Sequence, residues 1–309
     1  MASVSLPDEV RAACAWVATL ARWVEVDEER IGEYAAALLE ERSDNDVEPA
    51  PFAHSDPETA AAFAICMNAI NFGSGWWPTI GKRPGHSGYA TIAAGVSERF
   101  TAAGPWSAAE LAAIGAGEIA AVVGQDAEHP LMAQFAAALR DVGAHVRDDH
   151  GDRFRGPVEA SDSIPALAGV LAAWGAFADV SLYEGREIPF YKRAQLAAAD
   201  LHRAGIADLP GLERLTAFAD NLVPHVLRVD GVLRLESSLG ARIEAEELLT
   251  HGSAEEVELR ASAVHAVGLL AEAAGGNLFP AEIDAVLWNR GRGQRYKSIP
   301  RPRSRNTAY

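Results

Sequence analysis

The stretch Phe190-Tyr191-Lys192-Arg193-Ala194-Gln195 follows Pro189 and puts two aromatics and two cations where a helix would begin. Cations at a helix N-terminus oppose its dipole, at a cost of about 0.3–1 kcal/mol each. Something must compensate. A structural ion pair would do so, and so would a bound anion or a catalytic carboxylate. A candidate carboxylate lies downstream in Phe218-Ala219-Asp220-Asn221-Leu222-Val223-Pro224, where Asp220 stands four residues before a proline suited to opening a helix. Backbone N–H groups and the positive helix end would keep Asp220 ionised at neutral pH. A plain N-cap aspartate would look the same. Two charges about 4 Å apart interact by about 4 kcal/mol at an effective dielectric near 20, so Lys192 beside Asp220 would add to that effect. Asp200, within the helix that Lys192 opens, is a second acid and reads as a structural partner.

Other chemistries lack their signatures. There is no P-loop, no glycine-rich dinucleotide fingerprint and no zinc motif. His54, His86, His129, His145, His150, His202, His225, His251 and His265 have no metal-ligand spacing. Ser74, between Gly73 and Gly75, has neither the motif nor the strand-to-helix setting of a nucleophile elbow. No cofactor is expected. Cys14 and Cys66 are too few for a disulfide framework and read as buried thiols in a reducing cytoplasm.

The elements that must position these residues are mostly helical. Pro7, Asp8 and Glu9 open one helix, and residues 27–42 form a second with Ile31, Tyr34, Leu38 and Leu39 on one stripe. A proline-bearing linker covers 43–51. Ser55-Asp56-Pro57-Glu58 caps a helix to about Asn71, and Ser107 with Glu110 forms a capping box. Between them, residues 72–88 carry Gly73, Gly75, Trp76, Trp77, Pro78, Gly81, Pro84, Gly85 and Gly88, a loop by composition. Its two tryptophans are either core anchors or walls of a ligand pocket. Alanine-rich helices reach about Val146, a charged loop covers 147–155, and another helix covers 161–177. Residues 179–188 alternate around a glycine turn as one β-hairpin. Helices are expected over 190–204, 211–219, 224–228, 243–250, 254–274 and 280–289. The fold class is therefore all-α with one short β-hairpin, one domain over 1–309 that can divide into lobes of about 1–178 and 179–309.

Charge narrows the function. The chain has 309 residues, 27 Lys+Arg and 43 Asp+Glu, a net charge of −16. Seven of those cations and no acids lie in the last 20 residues, from Arg290 to Tyr309. The acidic body excludes a broad basic face for duplex DNA or long RNA. No apolar run reaches the roughly 18 residues that span a membrane. The apolar stretch near the N-terminus follows Asp8 and Glu9, unlike a signal peptide.

Taken together, Phe190 to Leu196 with Asp200, and Leu215-Thr216-Ala217-Phe218-Ala219-Asp220 with Pro224, resemble the queuosine salvage protein family, the queuosine 5′-phosphate N-glycosylases that release queuine. Asn71-Phe72 before the tryptophan loop, Ser87-Gly88-Tyr89, Leu182 to Gly185, Glu256 to Arg260, Leu287-Trp288 and Ile299-Pro300 with the final tyrosine extend the likeness over about 50–309. The resemblance implies a helical fold similar to helix-hairpin-helix DNA glycosylases, with Leu209-Pro210-Gly211-Leu212 as the hairpin turn, though its spacing to Asp220 is short for those enzymes. It makes Asp220 the catalytic carboxylate and Lys192 its companion, with Phe218 and Asn221 flanking the site and His54 in a base-contacting segment. Where family members can have an aspartate after Leu-Trp, this chain has Asn289.

Queuine is a 7-deazaguanine, with carbon where purines have N7, so leaving-group activation at that atom is closed. Cleavage must lean on the sugar, where positive charge develops as in glycoside hydrolysis. A fixed carboxylate favours that charge in the transition state, as electrostatic stabiliser or as nucleophile. Phe72, Trp76, Phe218 and Trp288 are candidates to stack the base. Arg193, Arg290 and the basic tail are candidates for the phosphate. The expected partner is this one small nucleotide, with no nucleic acid and no membrane. A nucleic-acid glycosylase or binding protein and a catalytically inert helical binding protein are the competing readings.

Overall fold

The computed structural model describes residues 4–42 and 56–309. His54 and the 43–51 linker lie outside the described residues. Helices α1 (Leu6–Leu20) and α2 (Ile31–Arg42) come first, then α3 (Pro57–Ala69), α4 (Gly88–Ala103), α5 (Ala108–Ala113) and α6 (Ala116–Val123). Next are α7 (Pro130–His150), α8 (Gly156–Glu159), α9 (Ile164–Ala172) and α10 (Lys192–Arg203). The series ends with α11 (Leu222–Val229), α12 (Ser237–Glu244), α13 (Ala254–Ala273), α14 (Pro280–Gly291) and α15 (Gln294–Lys297). Strands β1 (Val24–Val26) and β4 (Leu233–Leu235) pair antiparallel, as do β2 (Val180–Tyr183) and β3 (Arg186–Pro189). The all-α class with the 179–188 hairpin holds.

Local signals worked where they closed on themselves. Asp56 caps α3 through Thr59 N at 3.0 Å. Ser107 and Glu110 make the reciprocal capping box of α5. Four readings need correction. Pro189 ends β3, paired with Val180, and does not open a helix. Residues 211–219 hold a 3-10 turn (Leu212–Arg214) and an extended run instead of a helix. The charged stretch 147–150 belongs to the end of α7, which stops at Gly151 with φ of +60°. The helix placed at 243–250 is α12, ending at Glu244.

Two helices are buried around most of their circumference, which marks each as the centre of a core. Every residue of α3 from Thr59 to Ala69 is buried, with α4, α7 and α10 packed on it. Helix α13 is buried over most of its length among α1, α2, α11 and α14. The buried apolar residues accordingly form two clusters, one around each helix. Residues 215–219 run along the seam between them. Leu215 and Phe218 point into the α3 cluster, Ala217 and Ala219 into the α13 cluster. That alternation carries the chain to Asp220 at the seam's edge.

Candidate active site

The 215–220 segment lies in no sheet, so its backbone groups must be met by side chains. Gln195 Oε1 accepts from Thr216 N at 3.0 Å, and Gln195 Nε2 donates to Thr216 Oγ1 at 2.9 Å. Asp284 Oδ1 accepts from Phe218 N at 2.8 Å. Arg260 Nε donates to Ala219 O at 3.1 Å. Three helices thereby hold one extended strand.

The segment ends where α11 begins. Asp220 Oδ1 accepts from Leu222 N at 2.7 Å and from Val223 N at 3.2 Å. These are two of the free donors of the helix N-terminus, and the dipole there favours the carboxylate. The backbone support expected for Asp220 is present. Its Oδ2 has no hydrogen-bond partner among the described residues, and the side chain borders a cleft of about 10 Å³ shared with Asn221, Arg260, Arg303 and Tyr309.

Lys192 is buried at the start of α10, with Asn71 O 3.5 Å from Nζ. Burial pulls its pKa below the usual lysine range, against the opposing pull of Asp220, Asp284 and Asp179. The charge–dipole problem at this helix start is answered by Asp179. Its Oδ2 accepts from Lys192 N at 3.1 Å, and its two oxygens take a bidentate pair from Arg260 at 3.0 and 2.7 Å. Arg260 thus ties the start of α10 to Ala219, next to Asp220. Tyr191, just before α10, has a φ of +48°, a strained position held by these contacts.

Asp284 was not legible from the sequence. It stands in a largely apolar helix, and only the fold buries it. Burial, with a further push from Asp220, raises its carboxyl to about 7. Two carboxylates and one lysine therefore share the seam. Asp200 bonds Asn68 Nδ2 at 2.9 Å and Arg203 at 3.4 Å, as a structural partner would; burial raises its pKa.

The other sequence candidates fall into different places. Arg193 is fully enclosed: it donates to Ala69 O and Ala308 O and lies over Phe72 at 5.0 Å and Phe177 at 5.8 Å. Burial lowers its pKa to about 10. Arg290 donates to Tyr34 Oη at 2.6 Å, Asp230 Oδ2 at 2.8 Å and Glu41. Both guanidiniums are thus engaged within the fold, Arg193 by backbone carbonyls and Arg290 by two acids and a tyrosine. Phe72 is 1% exposed, edge-on to Phe135 at 5.1 Å and covered by Arg193, so it is a core residue. Phe218 is buried in the α3 cluster, while Trp76 is half-buried on that cluster's edge. Trp288 is half-buried against the α13 cluster with Arg292 5.1 Å from its ring, one turn along α14 from Asp284. Asn289 follows it, also half-buried. Asn221 spends its amide on Pro302 O at 2.8 Å.

That bond is one of several by which the basic tail folds back over the seam. Tyr309 O accepts from Gly73 N at 2.9 Å, and Arg303 O from Leu249 N at 2.8 Å. Gly75 of the tryptophan loop lies so close to the tail that a Cβ would stand 2.3 Å from Ser304 O. Glycine is required there for the tail to pass.

Among the described residues no helix is long and apolar enough to cross a membrane, and no cluster of three His, Cys, Asp or Glu side chains could hold a metal ion. Both cysteines are free and buried.

The family model described as queuosine salvage protein matches residues 51–309. A queuosine 5′-phosphate N-glycosylase/hydrolase of Sphaerobacter thermophilus is 32% identical over 265 residues, 82% of each chain. One of Bos taurus is 28% identical over 237 residues, 70% of each chain. One of Dictyostelium discoideum is 34% identical over 143 residues, 44% of each chain.

Proposed function

The chain belongs to the queuosine salvage protein family, and we propose that it hydrolyses queuosine 5′-phosphate with Asp220 as the catalytic carboxylate and Lys192 as its partner. It is an N-glycosyl hydrolase, and its substrate is a small nucleotide. The observation that carries the assignment of Asp220 is its geometry: it lines the cleft with one oxygen fixed by Leu222 N and Val223 N and the other without a hydrogen bond among the described residues.

Hydrolysis breaks the C1′–N9 bond, gives water's oxygen to C1′ and leaves a proton on the base nitrogen. As the bond lengthens, the ribose gains positive charge. A carboxylate fixed before the reaction stabilises that charge without reorganising. Lys192 supplies a positive charge that interacts with Asp220 and can hold a ribose hydroxyl or the attacking water. Asp284, with its carboxyl raised to about 7, carries a proton near neutrality and can return it to the departing base. Trp288 and Asn289, on the same helix as Asp284, are the residues we assign to the base, Trp288 by stacking and Asn289 by its amide. Phe218, Phe72 and Trp76 support the walls from within the α3 cluster.

We place the protein in the cytoplasm, where its two buried thiols stay reduced, and assign it no nucleic-acid partner, consistent with the net charge of −16. The test is direct. Purified protein incubated with queuosine 5′-phosphate should yield free queuine by mass spectrometry, and an unchanged nucleotide would refute the assignment.

A further inference from the structure

The stretch Glu256 to Arg260, near the start of α13, carries three charged side chains, all buried. Two of them are complete. Glu258 Oε2 accepts from Trp23 N at 2.6 Å and Arg22 N at 2.9 Å, and its Oε1 from Tyr183 Oη at 2.8 Å. Arg260 holds Asp179 and Ala219 O. Glu256 is not complete. Its Oε2 accepts from Gly252 N at 3.0 Å. Its Oε1, on a residue 1% exposed, has no hydrogen bond among the described residues. His251 Nδ1 stands 3.5 Å from that oxygen and Arg260 Nη1 3.8 Å, and the Tyr309 side chain faces Glu256 as well. Burial would raise the Glu256 pKa, but His251 and Arg260 together hold it below the ordinary range. A buried anionic oxygen whose donors stand just beyond reach is costly as it stands.

The space beside it is the cleft at Asp220. Residues three and four apart share a helix face, so Glu256, Leu259 and Arg260 form one wall. Asp220, Asn221 and Pro224, at the start of α11, form the other. Its volume of about 10 Å³ suits one water molecule and no part of a nucleotide. Polar groups 3.5 Å and 3.8 Å apart across such a space are the setting in which a water bridges. Lys192, Asp284 and Trp288 do not border the cleft, so a water held there meets Asp220 apart from the residues assigned to the base.

We propose that this cleft is a binding site for one water molecule, and that Glu256 holds that water against Asp220 for the attack on C1′. This rests on Asp220 acting at the anomeric carbon. The water gives one hydrogen to Glu256 Oε1 and one to Asp220. It accepts from Arg260 Nη1, and its second lone pair is left for C1′. In the reaction its oxygen bonds to C1′, and the C1′–N9 electrons leave with the base. One water proton passes to Asp220, and the base nitrogen takes the proton that Asp284 holds. Lys192 is then left to a ribose hydroxyl.

The experiment compares wild type, Glu256→Gln and Glu256→Ala on queuosine 5′-phosphate, with methanol added as a competing nucleophile. Glu256→Gln keeps the size and an acceptor for Gly252 N but loses the charge. Its kcat should fall about 10- to 100-fold, the scale of one charge-assisted hydrogen bond, with KM within about threefold of wild type. Glu256→Ala opens the cleft beyond the size of one water. Methyl ribose 5-phosphate should then appear beside ribose 5-phosphate, where wild type makes the free sugar alone. That ratio is set within each folded molecule and does not depend on how much of the variant folds. A kcat in Glu256→Gln within about threefold of wild type, or a product ratio in Glu256→Ala equal to that of wild type, would overturn the site. A crystal structure of the wild-type protein reads the site without any variant. An ordered water within hydrogen-bond distance of Glu256 Oε1 and Arg260 Nη1 is expected, and a dry cleft would overturn the proposal. Should wild type release no queuine at all, the functional reading fails, and that crystal structure still decides whether the water site exists.

Discussion

Helix α11 has a buried or half-buried aspartate at each end, and the two are finished differently. Asp230 closes its C-terminus, where the dipole disfavours a negative charge. Its oxygens accept from Tyr34 Oη at 2.6 Å, Arg290 Nη1 at 2.8 Å and Tyr296 Oη at 2.9 Å, with Arg295 at 3.2 Å. Nothing on that carboxylate is left over. Asp220 precedes the N-terminus, where the dipole favours it, and two backbone donors satisfy one oxygen only. Its neighbours are equally unfinished: Lys192 has a distant carbonyl, and Glu256, across the cleft, has one oxygen without a hydrogen bond among the described residues. A completed network holds the tail and α2 against α11. The incomplete one keeps its charges for something that arrives.

The comparison breaks most sharply at Asp220. Asp220→Asn keeps the shape and the acceptor for Leu222 N, but removes the charge. About 4 kcal/mol of charge stabilisation at close range corresponds to about a thousandfold in rate. Turnover of queuosine 5′-phosphate should fall by about that factor, with unfolding midpoints close to wild type. A variant that turns over within about tenfold of wild type would strip Asp220 of its role.

The opposite end predicts the opposite pattern. Arg290→Met removes one member of the Asp230 network and leaves the buried carboxylate short of a cation. Such losses cost about 3 kcal/mol of stability. Urea unfolding should show that drop, while turnover per folded molecule stays within about threefold. Lost turnover without lost stability would return Arg290 to the binding site.

The same contrast explains what the sequence could convey. Lys192 and Asp220 were legible because a motif and a helix-start pattern are local. The caps at Asp56 and Ser107 were legible for the same reason. The 211–219 stretch was misread as helix because its partners Gln195, Asp284 and Arg260 lie 21 to 66 residues away from the groups they bind. Tertiary contacts there override local propensity. The partners of Arg290 were not legible because sequence displays a charge without its partner; Glu41 is 249 residues distant. Asp284 gave no signal, since one acid in a helix usually faces water.

Asp284 supplies the smallest effect and the finest test. Its carboxyl rises from the ordinary 3.8 to about 7 in the fold, chiefly by burial and then by Asp220. Between those values the folded chain holds a proton that the unfolded chain has released. Stability must therefore fall as pH rises from about 4 to about 7, and level off above. Asp284→Asn keeps an acceptor for Phe218 N and cannot ionise, so that slope should vanish. Measured by urea unfolding at pH 5 and pH 8, the difference between wild type and variant should shift by about 2 kcal/mol in favour of the variant at the higher pH. The rate offers a second reading. If the Asp284 proton reaches the departing base, wild-type kcat declines above about pH 7, and the variant is slower with a flatter profile. An identical pH slope of stability in both proteins would mean that Asp284 is ionised throughout. The seam would then hold two permanent carboxylates, and the proton on the base would have to come from Lys192, whose buried ammonium is the other acid within it.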